Sequence, residues 1–242
     1  MDIILALTEE LKGEKWQVEA AVKLIDEGNT IPFISRYRKE ATGALNDEVL
    51  RNLYERLNYL RNLEDKKTQV LAGIEAQGKL TEELKKQILA AQTLVVVEDL
   101  YRPYRPKRRT RATIAKEKGL EPLANIILLQ MTDKSLEEEA KAFLSEEKEV
   151  KTVSDAIAGA KDIVAESISD EADYRIRIRD MTVKKGRVVS AAKNPKEQSV
   201  YEMYYEYEEP VAKVAGHRVL ALNRGEKEKI LTVKIEAPTE DI

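Results

Sequence analysis

The sequence predicts an all-α fold with few or no strands, arranged as an elongated array of many helices. Three observations predict it. Apolar residues recur at three- and four-residue spacing through most of the stretch from Trp16 to Gly186, which is the signature of one buried helix face. Capping residues and stops punctuate those stretches, with Asn46, Thr81 and Ser135 as starts and Gly28, Gly78 and Gly119 as ends. Period-two alternation, the mark of a strand, is confined to short runs.

The elements follow in order. Val18, Ala21, Val22 and Ile25 form one face of a helix from Trp16 to Glu27, which Gly28 and Asn29 end. Pro32 then breaks the pattern, and Ile34 to Gly43 reads as an ordered connector. After a cap at Asn46 or Asp47, the series Leu50, Leu53, Leu57, Leu60, Leu63, Val70, Leu71 and Ile74 predicts one long helix, closed by Gly78. Its apolar seam is expected to pack on this chain's own helices rather than on a coiled-coil partner. Thr81 caps another helix with Leu84, Ile88 and Ala91 on one face. For Leu94 to Val97 the residues allow either a strand, from three successive valines, or a short buried helix capped by Thr93. Pro103 and Pro106 stop regular structure, so the residues around them are expected to be loop or extended.

Beyond that point Thr113, Pro122 and the Ser135/Glu138 capping box start short helices. Ser145 to Val150 is acidic and poor in apolar residues, the best internal linker. It divides the chain into 1–150, an N-terminal helical region, and 151–242, a second helical segment. That segment opens on a helix with Ile157, Ala160, Val164 and Ile168 on one side. Tyr174 to Arg179 alternates like a strand, but the flanking residues through Gly186 favour a helix. The clustered Tyr201, Tyr204, Tyr205 and Tyr207 are expected to fasten a terminal segment to the helical core.

Composition bounds the chemistry. The 242 residues are 43% hydrophobic, enough for one large or two small folded domains, and 35% charged with a net charge of -3. There is no cysteine and one histidine, His217, which removes thiol nucleophiles, CxxC zinc patterns and His-rich metal clusters. A lone His217 reads as structural rather than as a general base. No Gly-rich phosphate loop or nucleophile motif occurs, so neither catalytic nor metal residues are assigned, and no cofactor or small-molecule substrate is expected. No apolar run has bilayer length, and the Met1-Asp2-Ile3-Ile4 start lacks the pattern of a secretory leader, so the expected location is the cytoplasm, away from membranes.

Against that acidic balance, Tyr101 to Arg111 concentrates six cations without a carboxylate. Such a local excess points to a polyanion. Arg105, Lys107, Arg108, Arg109 and Arg111, with the second basic string Arg36, Arg38 and Lys39, are the candidate nucleic-acid contacts, and Tyr101 and Tyr104 are candidate stacking residues. A second reading makes these arginines and lysines clamps that bridge helices through carboxylates. The two readings stand level for Lys107, Arg108, Arg109 and Arg111, while the clamp is the expected one for Arg36 and Arg38. The phosphate reading narrows to the run from Lys107 to Arg111.

Several long strings carry a family resemblance. Trp16 to Leu24, Gly28-Asn29-Thr30-Ile31-Pro32-Phe33-Ile34-Ser35-Arg36-Tyr37-Arg38-Lys39-Glu40-Ala41-Thr42-Gly43 and Glu98-Asp99-Leu100-Tyr101-Arg102-Pro103-Tyr104-Arg105-Pro106-Lys107-Arg108-Arg109-Thr110-Arg111 resemble the Tex family of bacterial transcription accessory proteins, and the likeness continues through Asp155 to Glu166 and His217 to Glu228. The resemblance implies a helical N-terminal region containing a helix-turn-helix, then an RNase H-like domain, helix-hairpin-helix elements and an OB-fold RNA-binding domain. This chain resembles the first part, with Leu231 to Ile235 as the entrance to an RNase H-like domain that it lacks. The implied function is a non-catalytic part of a transcription accessory protein that adds auxiliary RNA or DNA binding through its basic loops. The alternative is a scaffold that positions downstream domains or holds transcription or translation machinery.

Overall fold

The computed structural model describes residues 2–242, which form two compact units, Met1–Arg105 and Pro106–Ile242. The first unit is helical: α1 (Ile3–Leu11), α2 (Lys15–Asp26), α3 (Ile31–Tyr37), α4 (Asp47–Glu75), α5 (Glu82–Ala90) and α6 (Leu94–Tyr101), followed by a 3-10 turn at Arg102–Tyr104. Its spine is α4, started by the Asn46 side chain, which accepts from the Val49 amide at 2.9 Å. The seam Leu50, Leu53, Leu57, Leu60, Leu63, Val70 and Ile74 is buried, and Leu7, Val18, Ile34, Ile88 and Val97 pack into the same core.

Two elements here depart from the sequence reading, and a third settles a choice that the residues left open. Helix α1 has no counterpart in it; Asp2 caps it, accepting from the Leu5 amide at 3.1 Å, and Leu7 is fully buried. Pro32 lies in the first turn of α3, where its missing N–H costs no hydrogen bond, so part of the expected connector is helix. Leu94 to Val97 opens α6: Thr93 caps it, and burial of Val97 in a helical core outweighs the β preference of valine.

The second unit contains α7 (Arg111–Glu117), α8 (Glu121–Leu129), α9 (Leu136–Lys141), α10 (Val153–Asp170), α11 (Ala172–Lys185), β1 (Arg187–Ala192), β2 (Glu206–Pro210), α12 (Gly216–Lys227) and β3 (Leu231–Glu236). One core is helical, formed by Ala112, Leu120, Leu123, Ala140, Val150, Ala156, Ala160 and Ile163. Gly159 of α10 lets that helix approach α7 closely, because a Cβ there would collide with Leu120 and lie 3.3 Å from Ala115 Cβ. Ser145 to Val150, expected as a linker, is a closed turn: the two residues exchange backbone hydrogen bonds at 3.0 and 2.8 Å, and Val150 enters the core.

The second core surrounds a three-stranded antiparallel sheet of order β2-β1-β3, with Val188 of β1 paired to Glu209 and to Ile235. The fold is thus mostly helical with one small sheet, rather than all-α. Val188, Tyr201, Tyr204, Leu222 and Leu231 fill this core. The tyrosines therefore anchor a sheet and α12 rather than a helical terminus. Ser190 donates to the Tyr204 carbonyl at 2.7 Å, and the rings of Tyr204 and Tyr207 meet edge-on at 5.2 Å.

Candidate nucleic-acid interface

At the end of the first unit, Tyr101 and Tyr104 are partly buried against the core. Tyr101 lies against Gly73 of α4, and the Gln77 amide donates to the Tyr104 carbonyl at 2.9 Å. Both tyrosines thus pack as anchors on the first core, with part of each side chain still exposed. Arg105 is exposed, its Nη1 3.8 Å from Glu98, a carboxylate that Lys66 already holds at 2.6 Å.

In the second unit the cations part company. Lys107 is held between the carboxylates of Asp170, which is buried, and Glu166, at 3.3 Å, both from α10. Thr110 caps α7 by accepting from the Thr113 amide at 3.1 Å and donates to Glu166 at 2.9 Å. These contacts fix the loop, and the arginines between and after them project outward. Arg109 reaches Glu117 at 2.9 Å with 69% of its side chain exposed, and Arg111 lies 3.6 Å from Asp162 with 86% exposed. Arg108 is exposed and meets no carboxylate among the described residues. Exposed pairs of this kind are worth about 0–1 kcal/mol.

The basic string at the end of α3 and just beyond it shows no carboxylate clamp among the described residues. Arg36 and Lys39 are exposed and meet no carboxylate among the described residues. Arg38 donates to the Tyr37 carbonyl at 3.2 Å, and its guanidinium carbon lies 5.0 Å from the centre of the Phe33 ring, so an aromatic face takes the place of the expected carboxylate. Phe33 and Tyr37 are 5.4 Å apart. The chain then turns back through Thr42 N to Arg38 O at 3.1 Å and Ala44 N to Lys39 O at 2.7 Å, and Gln17 of α2 donates to the carbonyls of Thr42 and Gly43 at 3.3 and 3.2 Å. Gly43, at φ +61°, lies against Trp16, and a Cβ there would come within 2.6 Å of the indole. Trp16 is a residue of this surface that the sequence reading did not assign. Its signal was available: helical spacing sets it opposite Val18, Ala21, Val22 and Ile25.

Elsewhere, His217 is exposed at the start of α12. Its neighbour Arg218 contacts both oxygens of Glu209 at 2.7 Å. The Tyr207 hydroxyl and Arg218, donating together, hold the Glu209 carboxyl below the usual carboxylate range. Among the described residues no group of three or more His, Asp or Glu side chains is arranged to hold a metal ion, and no helix is long and apolar enough to cross a membrane.

Comparison with known proteins matches residues 1–75 to the Tex-like protein N-terminal domain and residues 132–242 to the Tex central region. The uncharacterized protein YdcI of Bacillus subtilis is 51% identical over 98% of the chain and 33% of its own length. The transcriptional accessory protein Tex of Neisseria gonorrhoeae is 40% identical over 100% of the chain and 32% of its own length. The S1 RNA-binding domain-containing protein 1 of Homo sapiens is 30% identical over 97% of the chain and 24% of its own length. The chain thus spans about a third or less of the length of these relatives. The basic strings at 36–39 and 101–111 lie within a likeness that runs along essentially the whole chain, and the chain belongs to the Tex family.

Proposed function

We propose that the chain serves, as part of a transcription accessory protein, as a non-catalytic module that adds nucleic-acid binding through basic surface loops. The observation that carries this reading is the outward projection of Arg108, Arg109 and Arg111 from a loop that Lys107 and Thr110 hold in place. Three arginines held in this way meet phosphates without first breaking a buried pair. The names of the relatives, a transcriptional accessory protein and an S1 RNA-binding domain-containing protein, support the setting.

For the helix-turn-helix that the family resemblance implies, the pair α2 and α3, joined by the 27–30 turn, is the proposed counterpart. Helix α3 has only seven residues, roughly 10 Å of helix, so this proposal gives it no base reading in a major groove and leaves contact to its basic end. A scaffold role, holding downstream domains or a polymerase or ribosome partner, is favoured by one observation: Lys107, the first cation of the run, is a clamp.

The test is the salt dependence of binding to a labelled oligonucleotide. Replacing Arg108, Arg109 and Arg111 with alanine should flatten the slope of log K against log salt by roughly 2–3. No binding by the intact chain at low salt would overturn the nucleic-acid reading and leave the scaffold.

A further inference from the structure

The geometry points to a second site, in the first unit: Trp16 and Tyr37, with Arg36, Arg38 and Lys39, form a stacking platform for the unpaired bases of a single-stranded nucleic acid. The inference rests on the reading that the chain contacts nucleic acid, and adds to it the residues and the type of strand.

Large aromatic side chains normally bury most of their surface, yet Trp16 is 52% exposed and Tyr37 66% exposed beside a core that has taken in Leu7, Val18 and Ile34. Neither ring is loose. Trp16 rests on Gly43, whose backbone is tied to α2 by the Gln17 amide, and Tyr37 is backed by Phe33, which also carries the Arg38 guanidinium. The hydrogen bonds from Thr42 to Arg38 and from Ala44 to Lys39 fold the basic string back toward the residue on which the indole lies. A small turn therefore gathers two rings and three cations.

The charges favour an anion. Arg36 and Lys39 meet no carboxylate among the described residues. Of the nearby acids, Glu14 is engaged in the capping box of α2 and Glu19 pairs with Lys15 at 3.7 Å, which leaves Glu40, itself exposed, beside three cations. Cations alone would suit any polyanion. The rings select: a π-face stacks on a base only when that base is out of a duplex, and stacking of this kind is tolerant of sequence. An acidic protein segment would satisfy the cations and leave both rings in water.

Trp16 is the chain's single tryptophan, so its emission reports on this site alone. The 242-residue chain is titrated with a short oligouridylate, with an oligothymidylate of equal length and with a duplex at equal phosphate concentration, and labelled-strand anisotropy is followed alongside. Both single strands should quench Trp16 and shield it from acrylamide, while the duplex should not. A response to only one of the two single strands would overturn stacking as the basis of recognition. Tyr37→Ala should weaken single-strand binding by roughly 5- to 150-fold. The double change Arg36→Ala, Lys39→Ala should reduce the single-strand salt slope by about 1.4. These side chains lie outside the core, so circular dichroism and the unfolding midpoint should stay unchanged. Binding seen by anisotropy with Trp16 emission unaltered, or equal quenching by the duplex, would overturn the platform and leave the nucleic-acid reading intact. No binding at low salt would overturn both.

Discussion

Lys107 and Asp170 form an ion pair across 63 residues of chain, so the first cation of the most basic run is committed to the fold. Asp170 is the last residue of α10, where the helix C-terminus favours a positive charge, and its side chain is almost buried.

Lys107→Met should therefore destabilise the second unit by roughly 1–2 kcal/mol, between the worth of an exposed pair and the cost of breaking a buried one. A lower urea midpoint with an unchanged salt slope of binding is the expected result. A changed slope with an unchanged midpoint would return Lys107 to the phosphate contacts.

Lys67 carries the sharpest stability prediction in the first unit. It is 1% exposed, and its ammonium donates to Glu64 at 2.8 Å and to the Leu89 carbonyl at 3.0 Å. Lys67→Ala removes the buried stem from the core and takes the ammonium donor from the Leu89 carbonyl, at a cost of roughly 2–5 kcal/mol. Lys67→Met keeps the stem and should lose less, about 1–3 kcal/mol. Chemical denaturation of the two variants checks both the size and the order of the effect.

Acid should weaken the first unit through two arginine pairs. Hydrogen bonds from Arg56 hold the Glu10 carboxyl below its ordinary value of 4.5, and those from Arg61 hold Asp26 below 3.8. A carboxylate whose folded pKa is depressed stabilises fully above its unfolded pKa, and that contribution is lost as pH falls through the folded value. The loss thus begins near pH 4.5 and continues below 3.8. Both pairs are about 40% exposed, so each is worth at most about 1 kcal/mol after solvent screening. The stability gap between the native chain and an Arg56→Ala, Arg61→Ala variant should be constant at neutral pH and narrow as the pH falls below 4.5; a gap that acidification leaves unchanged would contradict it.

Gly159→Ala tests the crossing of α10 and α7. The new methyl group would strike the Cδ1 of Leu120, which is 1% exposed, and would come within 3.3 Å of Ala115 Cβ on α7. Despite alanine's better helix propensity, a loss of roughly 1–3 kcal/mol is expected by thermal or urea unfolding.

What the sequence made legible follows from where one interaction dominates. The face of α4 was readable because Leu50 to Ile74 repeats the same apolar choice, and Lys67 occupies the next place in that seam after Leu63, where a charged residue conceals a buried position. The capping box of α9 was readable because Ser135 and Glu138 satisfy each other locally. The sheet was not. Val188 and Val189 are too short a run to announce a strand, and Glu206 to Glu209 is acidic; their pairing depends on partners distant in sequence. At the candidate interface the cations were legible as a group, but their division was not. Whether Lys107 faces Asp170 and Arg108 faces water depends on the end of α10, which no local pattern near residue 107 encodes.

The strand order β2-β1-β3 has a kinetic corollary. The central strand, β1, is nearer in sequence to β2 than to β3, which follows only after α12, so pairing its second hydrogen-bonding edge closes the longer loop. Amide protection along β1 should accordingly arise in two stages during refolding, first for the groups facing β2 and later for those facing β3, with Leu231 entering the core last.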